Sequence, residues 1–487
     1  MLFNSINFIV FLIFIYIMYW LVDKKKLVVQ NTLLLLASYF FYACWDWRFL
    51  FLLIFSISLD YFSGIKIENA TTKKAKKNWL WISIFINLGF LGVFKYYNFF
   101  VDSFQDLLSS FGFEIHPWTI SVVLPVGISF YTFHGLSYVI DIYNDKIKAE
   151  KNIVDYSLFV SFFPLLVAGP IERATHLLPQ IKVKRAFDYT KTIDGLRQIL
   201  WGLFKKVVIA DQCAKHANLI FDHYHDYSGL TLFAGAVFFA FQIYGDFSGY
   251  SDIALGTARL FGVELLQNFS FPYFSRNISE FWRRWHISLS SWFRDYVYIP
   301  LGGGKGGLYI KLRNTMIIFL VSGFWHGANW TFIIWGLVNA LYIFPLIILN
   351  VDVSDRNIVA KGKVLPSFSD LVKILFSFCL VVLAWIFFRS SSVEMAFEIV
   401  KKIFSSSILY SSFIELYNLI IYEIGLTVFA LLLFFILVEW SGRESKFALQ
   451  HIGLKRGFYF RIGFYYLLLI LIFIFGGQTE EFIYFQF

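Results

Sequence analysis

The sequence predicts an all-α, polytopic membrane protein, and three observations carry that reading. Of its 487 residues 58% are hydrophobic, 21% aromatic and only 15% charged, and the mean hydropathy of +0.64 is too high for a water-soluble globule. Apolar runs near the length of a membrane span, ~20 residues, recur along the chain. The net charge of +9 gathers in Lys and Arg clusters between those runs, as in cytoplasmic loops, and does not argue for nucleic acid.

Residues 2–22 are apolar throughout and are followed at once by Asp23 and Lys24-Lys25-Lys26. They read as a first span, because in a cleaved signal the basic residues precede the apolar run. Further spans are expected over 33–44, 50–62, 79–94, 120–140, 196–210, 230–244, 314–325, 330–349, 371–388, 419–438 and 462–475, about twelve in all. Basic loops at 24–26, 73–77, 146–151 and 182–185 then face the cytoplasm and leave the N-terminus outside. The stretch 156–168 has basic flanks on both sides and closes on Gly169-Pro170, so it is expected to re-enter rather than cross. On this scheme 269–313 is a cytoplasmic interfacial segment, 446–461 is also inside, and 477–487 is an external aromatic tail, although Lys401-Lys402 then lie outside. No linker or fixed-period repeat divides the chain, so 1–487 reads as a single integral membrane domain. The three cysteines, Cys44, Cys213 and Cys379, have neither a CxxC pair nor metal-ligand spacing, so no disulfide framework or metal site is expected.

The strongest functional clue is His326, within Trp325-His326-Gly327-Ala328-Asn329-Trp330 and between two apolar runs. An ionisable group in hydrocarbon usually faces a cavity or marks a reaction centre, since even a neutral imidazole needs partners there. The competing reading is a satisfied packing residue. As a helix, 314–325 rises roughly 18 Å against ~30 Å of hydrocarbon, which puts His326 near mid-depth. Gly323 and Gly327 either open a cavity around it or form a small-residue helix contact.

Upstream, Glu280-Phe281-Trp282-Arg283-Arg284-Trp285-His286 reads as an interfacial helix, on which His286 is a second candidate or simply a polar surface position. Gly302-Gly303-Gly304-Lys305-Gly306-Gly307 resembles a phosphate cradle but lacks P-loop spacing, and a plain loop is the simpler reading. Arg283, Arg284, Lys305 and Arg313 give the cytoplasmic mouth a positive field, suited to an anionic donor such as a CoA ester and equally to lipid headgroups. The polar stretch 242–252, with Tyr244 and Asp246, either lines the same cavity or caps a span at the surface. The tail Glu480-Glu481-Phe482-Ile483-Tyr484-Phe485-Gln486-Phe487 is too short to span and long enough to fold back, with Tyr484 as its phenol.

Together, residues 242–254, 268–273, 282–292, 298–304 and 322–330 resemble the membrane-bound O-acyltransferase family, in particular its bacterial polysaccharide O-acetylation branch of alginate and peptidoglycan type. The resemblance implies a ring of tilted helices around a funnel, with re-entrant and interfacial helices, the acyl donor entering from the cytoplasm and the acceptor from outside. It also implies that His326 is the catalytic histidine, that His286 is the second signature residue, and that Gly169-Pro170-Ile171-Glu172-Arg173 is the re-entrant segment. Tyr484 matches an aromatic C-terminal motif proposed to accept the acyl group. The implied reaction takes acetyl from acetyl-CoA, with no bound cofactor, across a bacterial inner membrane to a cell-envelope glycan, assisted by a periplasmic or extracellular transferase partner. His326 would act as general base, with Trp325 and Asn329 as lining groups. Two rivals stand beside it: a flippase of a lipid-linked sugar, and direct acylation of a lipid or protein acceptor.

Overall fold

Apolar runs satisfy their own backbone by folding as helices, and the described residues contain α-helices and π-helical turns but no strand. The structure is a computed structural model that describes residues 1–22, 26–113, 119, 124–167, 169–351, 357–405, 410–452, 457–477 and 482–483. Asp23, Lys24, Lys25 and Tyr484 therefore lie outside the described residues. The chain separates into two compact units, Met1–Gly195 with Thr257–Leu266, and Leu196–Gly256 with Gln267–Phe487.

The first unit carries α1 (Ile6–Leu21), α2 (Leu27–Asp46), α3 (Arg48–Glu68), α4 (Lys73–Leu91), α5 (Tyr97–Ser110), α6 (Ile128–Tyr143), α7 (Ile153–Ser161), α8 (Phe163–Leu166) and α9 (Ala174–Ile181). Ser5 and Thr72 start α1 and α4 by accepting the N–H of Phe8 and Ala75. A π-helical turn, Gly92–Tyr96, carries α4 on into α5. Buried Asp60 ties α3 to α4 by accepting from Ser83 Oγ at 2.6 Å and Asn87 Nδ2 at 2.8 Å. Because a Cβ at Gly135 would collide with the Asp60 carboxylate, glycine there lets α6 close against the pair. Almost every face of α6 is buried, which explains why hydropathy marks 120–140 as a span: a core helix is as apolar all round as a crossing one.

Helices α7 and α8 have nine and four residues and rise roughly 14 and 6 Å, well short of ~30 Å of hydrocarbon. The 156–168 stretch thus does not cross as a helix. Beyond it, wholly buried Glu172 donates its N–H to His134 Nε2 at 3.0 Å, accepts from the Leu266 N–H at 2.6 Å and lies 2.8 Å from His176 Nδ1. That carboxylate raises the pKa of His176, since it favours the protonated ring.

The second unit takes the C-terminal part of α10 (Tyr189–Phe204), a π-helical turn Lys205–Ala210, α11 (Asp211–Asp222) and most of α12 (Gly229–Leu260). It continues with α13 (Ile278–Arg284), α14 (Ile287–Phe293), α15 (Gly307–His326), α16 (Trp330–Ile348), α17 (Phe368–Arg389), α18 (Val393–Ile403), α19 (Tyr410–Leu419), α20 (Leu426–Gly442) and α21 (Phe458–Phe475). Over the whole chain, seven described helices are long and apolar enough to cross a membrane, or eight if the bent pair Phe413–Ile424 and Leu426–Gly442 counts as one span. The chain is a multi-pass membrane protein.

Several expected spans change character. The 419–438 run breaks by 92° at Gly425, whose φ of +76° suits glycine. The 196–210 run contains Lys205 and Lys206, both buried and ion-paired, Lys205 to Asp252 and Lys206 to Asp211 and Asp246. The helix expected at 314–325 begins at Gly307 and has 20 residues, roughly 30 Å, so its length no longer places His326 at mid-depth.

Helices α15 and α16 pack as an antiparallel hairpin backbone to backbone. A Cβ at Gly323 would collide with the Phe332 carbonyl, and one at Gly336 with the Phe319 carbonyl. Both glycines therefore serve close helix approach. Gly323→Leu is expected to destabilise the protein by roughly 1–3 kcal/mol, the usual cost of overpacking, seen as a lower Tm of the purified protein in detergent; an unchanged Tm would contradict this packing.

Candidate active site

The α15–α16 hairpin sets the position of His326. It is the last residue of α15, Gly327 ends the helix, and Asn329 starts α16 by accepting the Thr331 N–H at 2.9 Å. A Cβ at Gly327 would strike the Phe332 ring, so the turn depends on glycine. His326 is 5% exposed and stands edge-on to three rings: Trp325 at 4.9 Å, Trp335 at 5.1 Å and Phe388 at 5.3 Å between centroids. Such edge-to-face contacts fix the plane of the imidazole.

His286 reaches the same place from the short helices. It joins α13 to α14 with a left-handed backbone, φ +43° and ψ +53°, a conformation that costs a non-glycine residue roughly 1–2 kcal/mol. Its neighbours hold it there: the Ile287 N–H donates to Asn268 O at 2.9 Å, the Ser270 N–H to Arg284 O at 3.0 Å, and Ser288 Oγ to Asn268 Oδ1 at 2.6 Å. Strain kept by such a frame is characteristic of functional sites. The side chain is 1% exposed, and neither ring nitrogen has a hydrogen-bond partner among the described residues. Burial pushes its pKa down to about 3, so the ring is neutral at physiological pH. Phe247 stands edge-on to it at 4.7 Å, and the His326 centroid is 6.4 Å away.

A cavity of about 310 Å³ has both histidines in its wall, together with Arg283, Arg294, Thr315 and Ser322. A second cavity of about 500 Å³ is lined by Gln267, Glu280, Arg283, Arg284 and Arg294. Trp282, Arg283, Ser290 and Arg294 belong to both walls, which makes the two spaces neighbours. Glu280, 3% exposed, tempers the charge by pairing with Arg276 at 3.0 Å and Arg284 at 2.8 Å.

The structure thus brings together His326, His286, Arg283 and Arg284, and sorts the other sequence candidates elsewhere. Trp325 buttresses His326 without lining the cavity. Asn329 caps α16 and donates to Ser391 O at 3.1 Å. Lys305 sits on an exposed turn and lines neither cavity. That turn is not a phosphate cradle: the Gly302, Gly303 and Lys305 amides donate to Ile299, Tyr298 and Gly302 carbonyls. Tyr244 donates to Glu439 at 2.6 Å, and Asp246 pairs with Lys206 at 2.8 Å; neither lines the histidine cavity. Sequence reasoning missed Arg294, which carries no motif, Phe247, an apolar residue passed over inside the 242–252 stretch, and Lys206, whose position inside an apolar run was a usable signal.

Comparison with known proteins adds to this geometry. The profile described as MBOAT, membrane-bound O-acyltransferase family, matches residues 148–354. The chain is 38% identical over 405 residues to a probable alginate O-acetylase, AlgI, of Pseudomonas aeruginosa, covering 83% of this chain and 75% of that one. The chain belongs to the membrane-bound O-acyltransferase family. It is also 38% identical over 394 residues to a peptidoglycan O-acetyltransferase of Helicobacter pylori, covering 76% of this chain and 72% of the relative. A teichoic acid D-alanyltransferase of Bacillus subtilis is more distant, 28% identical over 227 residues, 44% of this chain and 57% of that one. Both histidines of this O-acyltransferase lie within the matched residues.

If His326 does the chemistry, His326→Ala lowers transfer by about 10²–10⁴-fold while the Tm and gel-filtration profile stay near wild type. His286→Ala is expected to reduce turnover as well; normal rates in both variants would remove the cavity from the mechanism.

Proposed function

We propose that this protein takes an acetyl group from acetyl-CoA at the cytoplasmic side of a bacterial inner membrane and passes it outward for O-acetylation of a cell-envelope polysaccharide. One observation carries the reading: two buried histidines share a cavity whose wall continues, through Arg283 and Arg294, into a space lined by arginines. Neutral imidazole suits proton removal from a hydroxyl, and guanidinium groups suit the phosphates of a CoA thioester. The relatives named for alginate and peptidoglycan O-acetylation support a glycan as final acceptor. Membership in an acyltransferase family favours group transfer over the flippase reading.

A thioester is already activated, so the residues have to align a hydroxyl, accept its proton and exclude water. In the proposed first step the Tyr484 oxygen attacks the acetyl carbonyl as His326 takes the phenolic proton. The C–S bond breaks, and the proton leaves with the thiolate as coenzyme A. His286, neutral and with no hydrogen-bond partner among the described residues, is suited to donate toward the thioester oxygen or the leaving sulfur. In the second step a glycan hydroxyl, presented by an external transferase partner, takes the acetyl from tyrosine and returns a proton to it. The tyrosyl ester lets the acetyl group cross while CoA remains in the cytoplasm.

The deciding experiment incubates purified protein with acetyl-CoA and analyses the C-terminal peptide by mass spectrometry. The expected result is an acetyl adduct, absent in Tyr484→Phe and in His326→Ala, with glycan acetylation lost in cells carrying Tyr484→Phe. Unchanged glycan acetylation in Tyr484→Phe would eliminate the relay and leave direct acylation of the acceptor.

A further inference from the structure

The C-terminal segment has a built seat on α12, separate from the histidine cavity. Phe482 is 0% exposed, with its ring 4.3 Å from Tyr250 and 6.3 Å from Phe247 between centroids. The next residue, Ile483, is 2% exposed and donates its backbone N–H to Asp246 Oδ2 at 2.7 Å. The other Asp246 oxygen lies 2.8 Å from Lys206 Nζ, which also pairs with Asp211 at 2.8 Å and sits 5.7 Å from the Tyr250 ring centre. Lys206, Asp211 and Asp246 are all at most 2% exposed.

Two carboxylates share one ammonium here, so a further donor to Asp246 is favourable, and a hydrogen bond to a charged acceptor is stronger than a neutral one. The tail supplies that donor from its main chain. Every residue offers a backbone N–H, so the buried Phe482 ring against Tyr250 and Phe247 selects which residue comes to the seat, and the bond from the next N–H to Asp246 then locks that register. Phe247 in turn stands against His286, so seat and histidine share one wall. The sequence nominated Asp246 as a substrate-binding group; the geometry gives it different work.

We infer that Asp246, held by Lys206, is a positioning residue that registers the C-terminal segment through the Ile483 N–H and so determines how the following residue, Tyr484, is delivered for acyl transfer. This rests on the acyl-Tyr484 reading above, whereas the docking itself does not.

The test uses full-length protein in detergent and three variants. Ile483→Pro removes the one N–H and leaves the Lys206–Asp246 pair intact, Ile483→Val keeps the N–H, and Tyr484→Phe removes the phenol. Hydrogen–deuterium exchange of the C-terminal peptide reads docking, and coenzyme A release with acetyl-CoA reads turnover. Ile483→Val should match wild type. In Ile483→Pro the remaining amides should exchange at least ~10-fold faster, and kcat should fall about 10–100-fold with KM for acetyl-CoA within about twofold. Unchanged exchange in Ile483→Pro overturns the seat. Faster exchange with unchanged kcat, or a raised KM alone, overturns the positioning role. A fully active Tyr484→Phe beside a released tail in Ile483→Pro overturns the acyl-carrier reading and leaves docking standing.

Discussion

Close approach of α15 and α16 is the constraint on which the site depends. With a side chain at Gly323 or Gly336 the helices would separate, and with one at Gly327 the Phe332 ring would be displaced from the turn that ends in His326. The aromatic frame around the imidazole draws on α16 and α17, through Trp335 and Phe388, so it forms only when the hairpin closes. Trp385 then stacks on Trp335 at 5.7 Å, which extends the frame along α17. Position of the histidine is thus decided by glycine backbones and aromatic packing.

Polar groups deep in this chain fall into two kinds. Most are paired: Asp60 with Ser83 and Asn87, Glu439 with Trp201 and Tyr244, Lys205 with Asp252. Each arrangement offsets the cost of removing a polar group from water. His286 is a contrast, a buried imidazole on a strained backbone with neither nitrogen hydrogen-bonded among the described residues, and unlike Gln30, which is also unmatched, it lies in a cavity wall. An orphaned group of this sort costs roughly 1–3 kcal/mol, and the fold retains it at a cavity wall.

His326 is legible in the sequence because an ionisable side chain between two apolar runs stands out against its background. The helical, multi-pass character is legible for the same reason, from bulk hydropathy. Span count is not, since α6 and the 196–210 run are as apolar as crossing helices, and only packing shows the first to be a core helix and the second to hold ion-paired lysines. Asn329 and Tyr244 illustrate another limit: sequence proximity to a motif says nothing about which way a side chain turns, and Asn329 is engaged in a local helix cap while Tyr244 bonds to distant Glu439. The partnership of Asp246 with Ile483 joins residues 237 positions apart and leaves no local pattern to read.

The pairing of Glu280 with Arg276 and Arg284 has a consequence for how charged molecules meet this protein. A carboxylate lodged between two guanidinium groups cancels much of their field at a distance, and Asp295, 2.8 Å from the Arg294 guanidinium, does the same on the other side of that wall. At physiological ionic strength such a field decays over about 8 Å. The wall therefore exerts little pull on an anion at a distance, and any preference among anions rests on contact, through shape and hydrogen-bond geometry rather than through attraction at range.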